Sequence, residues 1–176
     1  MTEAEWLSCE VPEPMLEAIG AIRAMHEHQP TCRRMELFSC FCCRSIWELL
    51  SDQRCRELVD VIECELDGPE DTRDRWNAED AAEKAADEMG SFASTAIWGL
   101  AHVGREATPS QVGLIADAVA EAKALAQASE RDPNSPVWRA ALNVEKRSQA
   151  TLLRDIFGNP FRPVTLYPEW RTDTAL

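Results

Sequence analysis

Apolar residues recur at three- and four-residue intervals along most of the chain, whereas the period-two alternation of a half-buried strand is confined to a short candidate at 163–167. Ala82, Ala85, Ala86, Met89, Phe92, Ala93, Ala96, Ile97 and Leu100 predict one long helix from about 77 to 103, with small residues that permit close helix contacts. Leu58, Val59, Ile62 and Leu66 mark one side of an earlier helix, opened by N-cap chemistry at Ser51 and Asp52 and stopped by Gly68 and Pro69. Thr2 with Glu5 is a capping box for a short first helix, and the prolines at 12 and 14 separate it from a second helix over about 13–27 that Pro30 closes. A third helix is expected over 31–50. Thr108 followed by Pro109 opens an Ala-rich helix to about 129, and Ser135 followed by Pro136 opens a last one. That helix ends at Phe157, because Gly158 accepts a left-handed cap and Pro160 cannot continue. Short connections between such helices favour antiparallel neighbours, so the pattern predicts an all-α bundle or array of six to seven helices. Residues 1–158 form a single domain in this reading, and 159–176 an extended C-terminal strap.

Residues 37–50 are apolar almost all the way round a helix and carry Cys40, Cys42 and Cys43. All-round hydrophobicity belongs to a helix surrounded by others, and free cysteine is among the most commonly buried residue types. Helix 31–50 is therefore the expected centre of the core. Trp47, Trp98 and Trp138 lie within helical patterns and are expected to be buried, while Trp6 and Trp170, near the ends, are expected at the surface, where Trp often anchors interfaces.

Charge narrows the function classes. The 176 residues carry a net charge of −13, which opposes binding to a phosphate backbone or an anionic leaflet, since both need clustered Lys and Arg. Nucleic acid and membrane are thus not expected as partners. Residues 67–88 hold nine acids against three bases, a net of −6; this is either a solvated helix face or a docking face for a basic partner. No apolar run approaches the roughly 18 residues of a membrane span, and Met1 to Trp6 lacks the basic and apolar regions of a secretory leader. Seven cysteines, an odd number with two adjacent, do not resemble the paired framework of a small secreted protein. The expected setting is cytoplasmic, with reduced thiols.

The candidate chemistry is sparse. Cys40 and Cys43, three apart, put two sulfurs on one helix face. A structural zinc needs four ligands, and the nearest supply is Cys32, His26 and His28, with Cys9 as a further thiol; Cu(I) would need only two or three thiolates. Zn or Cu(I) binding, or thiol redox chemistry, is the alternative to an inert buried cluster. His102 reads as a structural histidine, and the chain lacks the paired Glu-x-x-His of a di-iron bundle. Asp80 and Lys84 form an ordinary i,i+4 pair. Phosphate loops, nucleophile elbows and dinucleotide turns are absent. The strap offers Phe157, Asn159, Phe161, Arg162 and Trp170 as a preformed extended ligand for another protein, or else pins them across its own domain.

Three segments, the opening Met1 to Leu7, the Cys42-Cys-Arg-Ser-Ile-Trp-Glu-Leu-Leu50 run and Leu152-Leu-Arg-Asp-Ile-Phe-Gly-Asn-Pro-Phe-Arg-Pro-Val164, resemble an uncharacterised paralogous family of helical bacterial proteins of planctomycete type. The resemblance implies a cytoplasmic helical module, often with other segments attached, and carries no activity, cofactor or catalytic residue. Extra cysteines at 32, 40 and 64, and an end soon after Trp170 where such relatives are expected to continue into more helix, depart from that pattern. Taken together, the sequence points to a non-enzymatic interaction or regulatory module with a protein partner, and a homo-oligomer is compatible with it.

Overall fold

Capping chemistry sets most of the helix starts. In the computed structural model, which describes residues 1–25, 31–68, 72–103, 107–128 and 130–162, the chain forms eight α-helices among the described residues, and no strand. Thr2 Oγ1 accepts from the Glu5 N–H at 3.3 Å while Glu5 Oε2 accepts from the Thr2 N–H at 2.6 Å, closing the capping box of α1 (Glu3–Ser8). After α2 (Pro12–Met25) and α3 (Thr31–Arg44), Asp52 caps α4 (Gln53–Asp67) by accepting from the Arg54 N–H at 2.9 Å. Thr108 and Gln111 form a second reciprocal box at the start of α7 (Pro109–Ala128). Ser135, followed by Pro136, caps α8 (Pro136–Phe157), which ends as expected at Gly158 with φ +65°.

Two expected helices are shorter than the periodicity suggests. The pattern over 77–103 is two helices, α5 (Thr72–Met89) and α6 (Phe92–Val103). Gly90 adopts φ +57°, and Ser91 and Ser94 cap each other, each hydroxyl accepting from the other residue's N–H at 3.1 and 2.8 Å. The apolar stripe continues through the break because both helices face the same core, so periodicity alone cannot register the turn. Helix 31–50 stops at Arg44: the Ser45 hydroxyl donates back to the Cys42 carbonyl at 2.8 Å, and a 3-10 turn covers Trp47–Leu49. There the Trp47 ring lies beneath the Arg44 guanidinium at 4.1 Å and that of Arg56 at 5.3 Å.

Successive helices from α3 to α8 pack as neighbours, apart from a detour in which α3 reaches past α4 to α6, α7 and α8. Helix α7 touches α2, α3, α6 and α8, so α3 and α7 share the centre. Gly99 and Ile115 bring α6 and α7 close: a Cβ added at Gly99 would lie 2.8 Å from Ile115 Cγ1. The core runs from Trp6, Met15 and Leu16 through Met35, Phe38 and the cysteines to Leu58, Ile97, Leu100 and Ile115, and a smaller cluster gathers around Trp138. No described helix is long and apolar enough to cross a membrane.

The tryptophans depart from expectation in both directions. Trp6 is fully buried, because α1 folds back against the end of α8 and its Nε1 donates to the Gly158 carbonyl at 3.1 Å. Trp98 is 44 % exposed, since its neighbours Ala96 and Ile97 on α6 take the core positions. Trp138 is buried and Trp47 half-buried, while Trp170 and the strand candidate at 163–167 lie outside the described residues.

Candidate functional site

The cysteine helix divides its thiols between two sides of the core. Cys40, Cys42, Cys43 and Cys55 are buried, Cys9 and Cys32 intermediate and Cys64 exposed, all free. Burial pushes the Cys40 thiol well above its ordinary range, with the neighbouring Cys43 adding to the effect. Burial likewise raises Cys43, reinforced by Cys42 and Cys55, and raises Cys42, reinforced by the Glu145 carboxylate. For Cys55 burial pushes the value up to about 11. A thiol held protonated in this way is a poor nucleophile and a poor ligand until it is exposed. Cys40 and Cys43 are neighbours as the spacing requires, Cys32 sits two turns away at the start of α3, and His26 and His28 lie outside the described residues. Among the described residues no three His, Cys, Asp or Glu side chains gather as a metal would need.

The described strap residues, Asn159 to Arg162, are tied to the domain. Asn159 Nδ2 donates to Glu3 Oε1 at 2.7 Å, and Arg162 pairs with the same carboxylate. The Asn159 side chain accepts from the Phe161 N–H at 3.0 Å, and Phe157 and Phe161 pack against the core. Arg154 reinforces the junction, donating to the Cys9 carbonyl at 2.7 Å. A partner that used Asn159 or Arg162 would therefore compete with Glu3 for them.

The acidic stretch has a buried anchor that charge counting does not reveal. Arg75 of α5 reaches Glu36 of α3 at 2.7 Å, Glu65 of α4 at 3.2 Å and Glu79 at 2.8 Å. Burial opposes the charge on Arg75, but the three carboxylates outweigh it and hold the guanidinium protonated. With its inner face fixed, α5 turns the remaining acids outward. Asp80 pairs with Lys84 at 2.6 Å as expected, and Asp74 and Asp87 have no ion pair among the described residues.

Beside those acids stand two exposed tryptophans. Trp76 is 69 % exposed, and helical spacing puts it on one face with Asp80, Glu83 and Asp87. Across the α5–α6 hairpin, Trp98 stacks on His102 with ring centroids 4.0 Å apart. His102 Nδ1–H donates to the Trp98 carbonyl at 2.8 Å, which leaves Nε2 facing Glu83 Oε1 at 3.7 Å. A cleft of about 290 Å³ follows the hairpin between Asp87, Ser94, Thr95 and Trp98. Chemically this is an aromatic platform with a carboxylate rim, suited to a cationic side chain. Trp76 and the exposure of Trp98 were hidden in the sequence, because an exposed aromatic in a helical pattern reads like a core position. Compared with protein-family models, curated proteins and solved structures, the chain gives no match in any of the three.

Proposed function

We propose that this protein is a non-enzymatic interaction module whose α5–α6 face docks a basic segment of a protein partner. The observation that carries the reading is the pairing of Trp98, exposed and held in place by His102, with the outward acids Glu83 and Asp87. Trp is among the residues most enriched in interface hot spots, and Trp98 stands beside the cleft that Asp87 lines. The surrounding negative charge would steer a basic partner towards the platform and disfavour an acidic one. Cytoplasmic residence belongs to the same proposal, as does the absence of membrane or nucleic-acid binding, which the net charge of −13 supports.

Metal or thiol chemistry at α3 is less favoured by the buried, protonated state of Cys40, Cys42 and Cys43. The test is a titration of isotopically labelled protein with an oligolysine peptide, following the indole N–H signals. Saturable shifts of Trp98 and Trp76 are expected. Shifts spread evenly over the acidic surface, without the indoles, would contradict the reading.

A further inference from the structure

The cleft in the α5–α6 hairpin is more selective than a surface that merely attracts positive charge. Ala86, Asp87 and Gly90 line it from the end of α5 and the turn, and Ser94, Thr95 and Trp98 line it from α6. Its volume of about 290 Å³ lies at the lower edge of the roughly 300–1,000 Å³ of sites that enclose a whole small molecule. One side chain fits it better than a free ligand. A Cβ added at Gly90 would meet nothing within 4 Å, so the cleft is open at the turn.

Trp98 gives the cleft a flat wall. His102, one turn later on α6, stacks on the indole with ring centroids 4.0 Å apart. Ser94 and Thr95 lie one turn earlier, so the cleft opens on the face of the ring that His102 leaves bare. Asp87 stands across from it on α5, exposed and without an ion pair among the described residues. The cations nearest in sequence and space are engaged elsewhere: Lys84 holds Asp80 at 2.6 Å, and Arg54 pairs with Asp52 and Glu88.

The donors that line the cleft are also largely spent. The Ser94 and Thr95 hydroxyls both donate to the Ser91 carbonyl, at 2.8 and 3.0 Å, and the Gly90 N–H donates to the Ala86 carbonyl at 3.2 Å. The Trp98 indole N–H is a further donor, but it lies at the ring edge, clear of the stacking face. The Asp87 carboxylate and the lone pairs of the exposed Thr95 hydroxyl are the acceptors on offer.

A bare aromatic face beside an unpaired carboxylate distinguishes the two basic side chains. A guanidinium is planar, stacks on aromatic rings and meets a carboxylate through two parallel N–H···O bonds, whereas an ammonium is a compact, strongly hydrated point charge. We propose that this cleft is an arginine pocket, which takes a guanidinium of the partner's docking segment between the Trp98 ring and the Asp87 carboxylate. The pocket presupposes the α5–α6 docking face and adds to it a choice of arginine over lysine.

The experiment is calorimetric titration of an oligoarginine and an oligolysine peptide of equal length into wild type, Asp87→Asn, Glu83→Gln and Trp98→Ala at about 0.15 M salt. The arginine peptide should bind wild type about tenfold more tightly than the lysine peptide. Asp87→Asn, at an exposed position, should bring the two peptides within about twofold of each other by weakening the arginine peptide. Glu83→Gln removes a rim charge that does not line the cleft, so it should weaken both peptides alike and keep the preference. Equal affinities in wild type, a preference that survives Asp87→Asn, or one that Glu83→Gln also abolishes would overturn the arginine pocket, and the docking face would still stand if both peptides depend on Trp98. Binding of neither peptide, or binding indifferent to Trp98→Ala, would overturn the docking face and the pocket together.

Discussion

Arg75 Nη2 donates to Glu36 Oε1 at 2.7 Å across 39 residues of sequence, joining α5 to α3 through side chains that are 6 % and 8 % exposed. Glu65 and Glu79 complete the cluster, and Glu65 Oε1 is buried without a partner among the described residues. One guanidinium thus holds three carboxylates in place, and it does so at the base of the hairpin that presents Trp98.

Arg75→Met should therefore be among the most damaging single changes. Removing one partner of a buried ion pair costs about 3–5 kcal/mol, because the remaining charges stay buried. Urea denaturation checks this; a loss below about 1 kcal/mol, the scale of an exposed pair, would mean that water reaches the cluster.

Trp6 carries the junction between α1 and the end of α8. Trp6→Ala should cost about 3–5 kcal/mol as a core aromatic truncation. Trp6→Phe retains most of the packing and loses the bond to the Gly158 carbonyl, so about 1 kcal/mol is expected. Thermal unfolding of both variants separates the two contributions.

Thiol reactivity should sort by burial. Cys64 is exposed and should label at once with an aromatic disulfide, whereas Cys40, Cys42 and Cys43 should label only as the protein unfolds. Mass spectrometry of the labelled peptides reads this directly, and rapid labelling of Cys42 in native protein would contradict the packing.

The same burial predicts a loss of stability in alkali. A thiol whose folded value is raised favours the fold fully below its ordinary value near 9, and that contribution is lost as pH climbs through the folded value, about 11 for Cys55. Between pH 9 and 11 the wild type should lose stability faster than Cys55→Ala, by about 1.4 kcal/mol per pH unit at most. Parallel pH profiles in denaturant would contradict the assignment.

The helices were legible where caps and apolar periodicity agree, as at Thr2, Asp52, Thr108 and Ser135. The break at Gly90 was not, because α5 and α6 keep one apolar stripe while a single positive φ and a pair of serines turn the chain. Arg75 looked like one base in an acidic surface run, since its partners Glu36 and Glu65 come from other helices. The position of Cys40, Cys42 and Cys43 in the core followed from their apolar setting. Trp6 and Trp98 exchanged expected roles, because burial of an aromatic depends on which neighbour covers it, and a chain terminus that folds back can bury one.

The most direct measurement of the docking account is calorimetric titration of an oligolysine peptide into wild-type and Trp98→Ala proteins at about 0.15 M salt, where exposed long-range charge effects are largely screened. The control is Glu17→Gln, an exposed acid on α2, which packs on α7 and α8. The account predicts saturable binding to wild type and to Glu17→Gln, and loss of about tenfold or more in affinity with Trp98→Ala at unchanged helix content. Equal affinity for all three proteins would show that charge alone attracts the peptide and that the Trp98 platform is not the docking site.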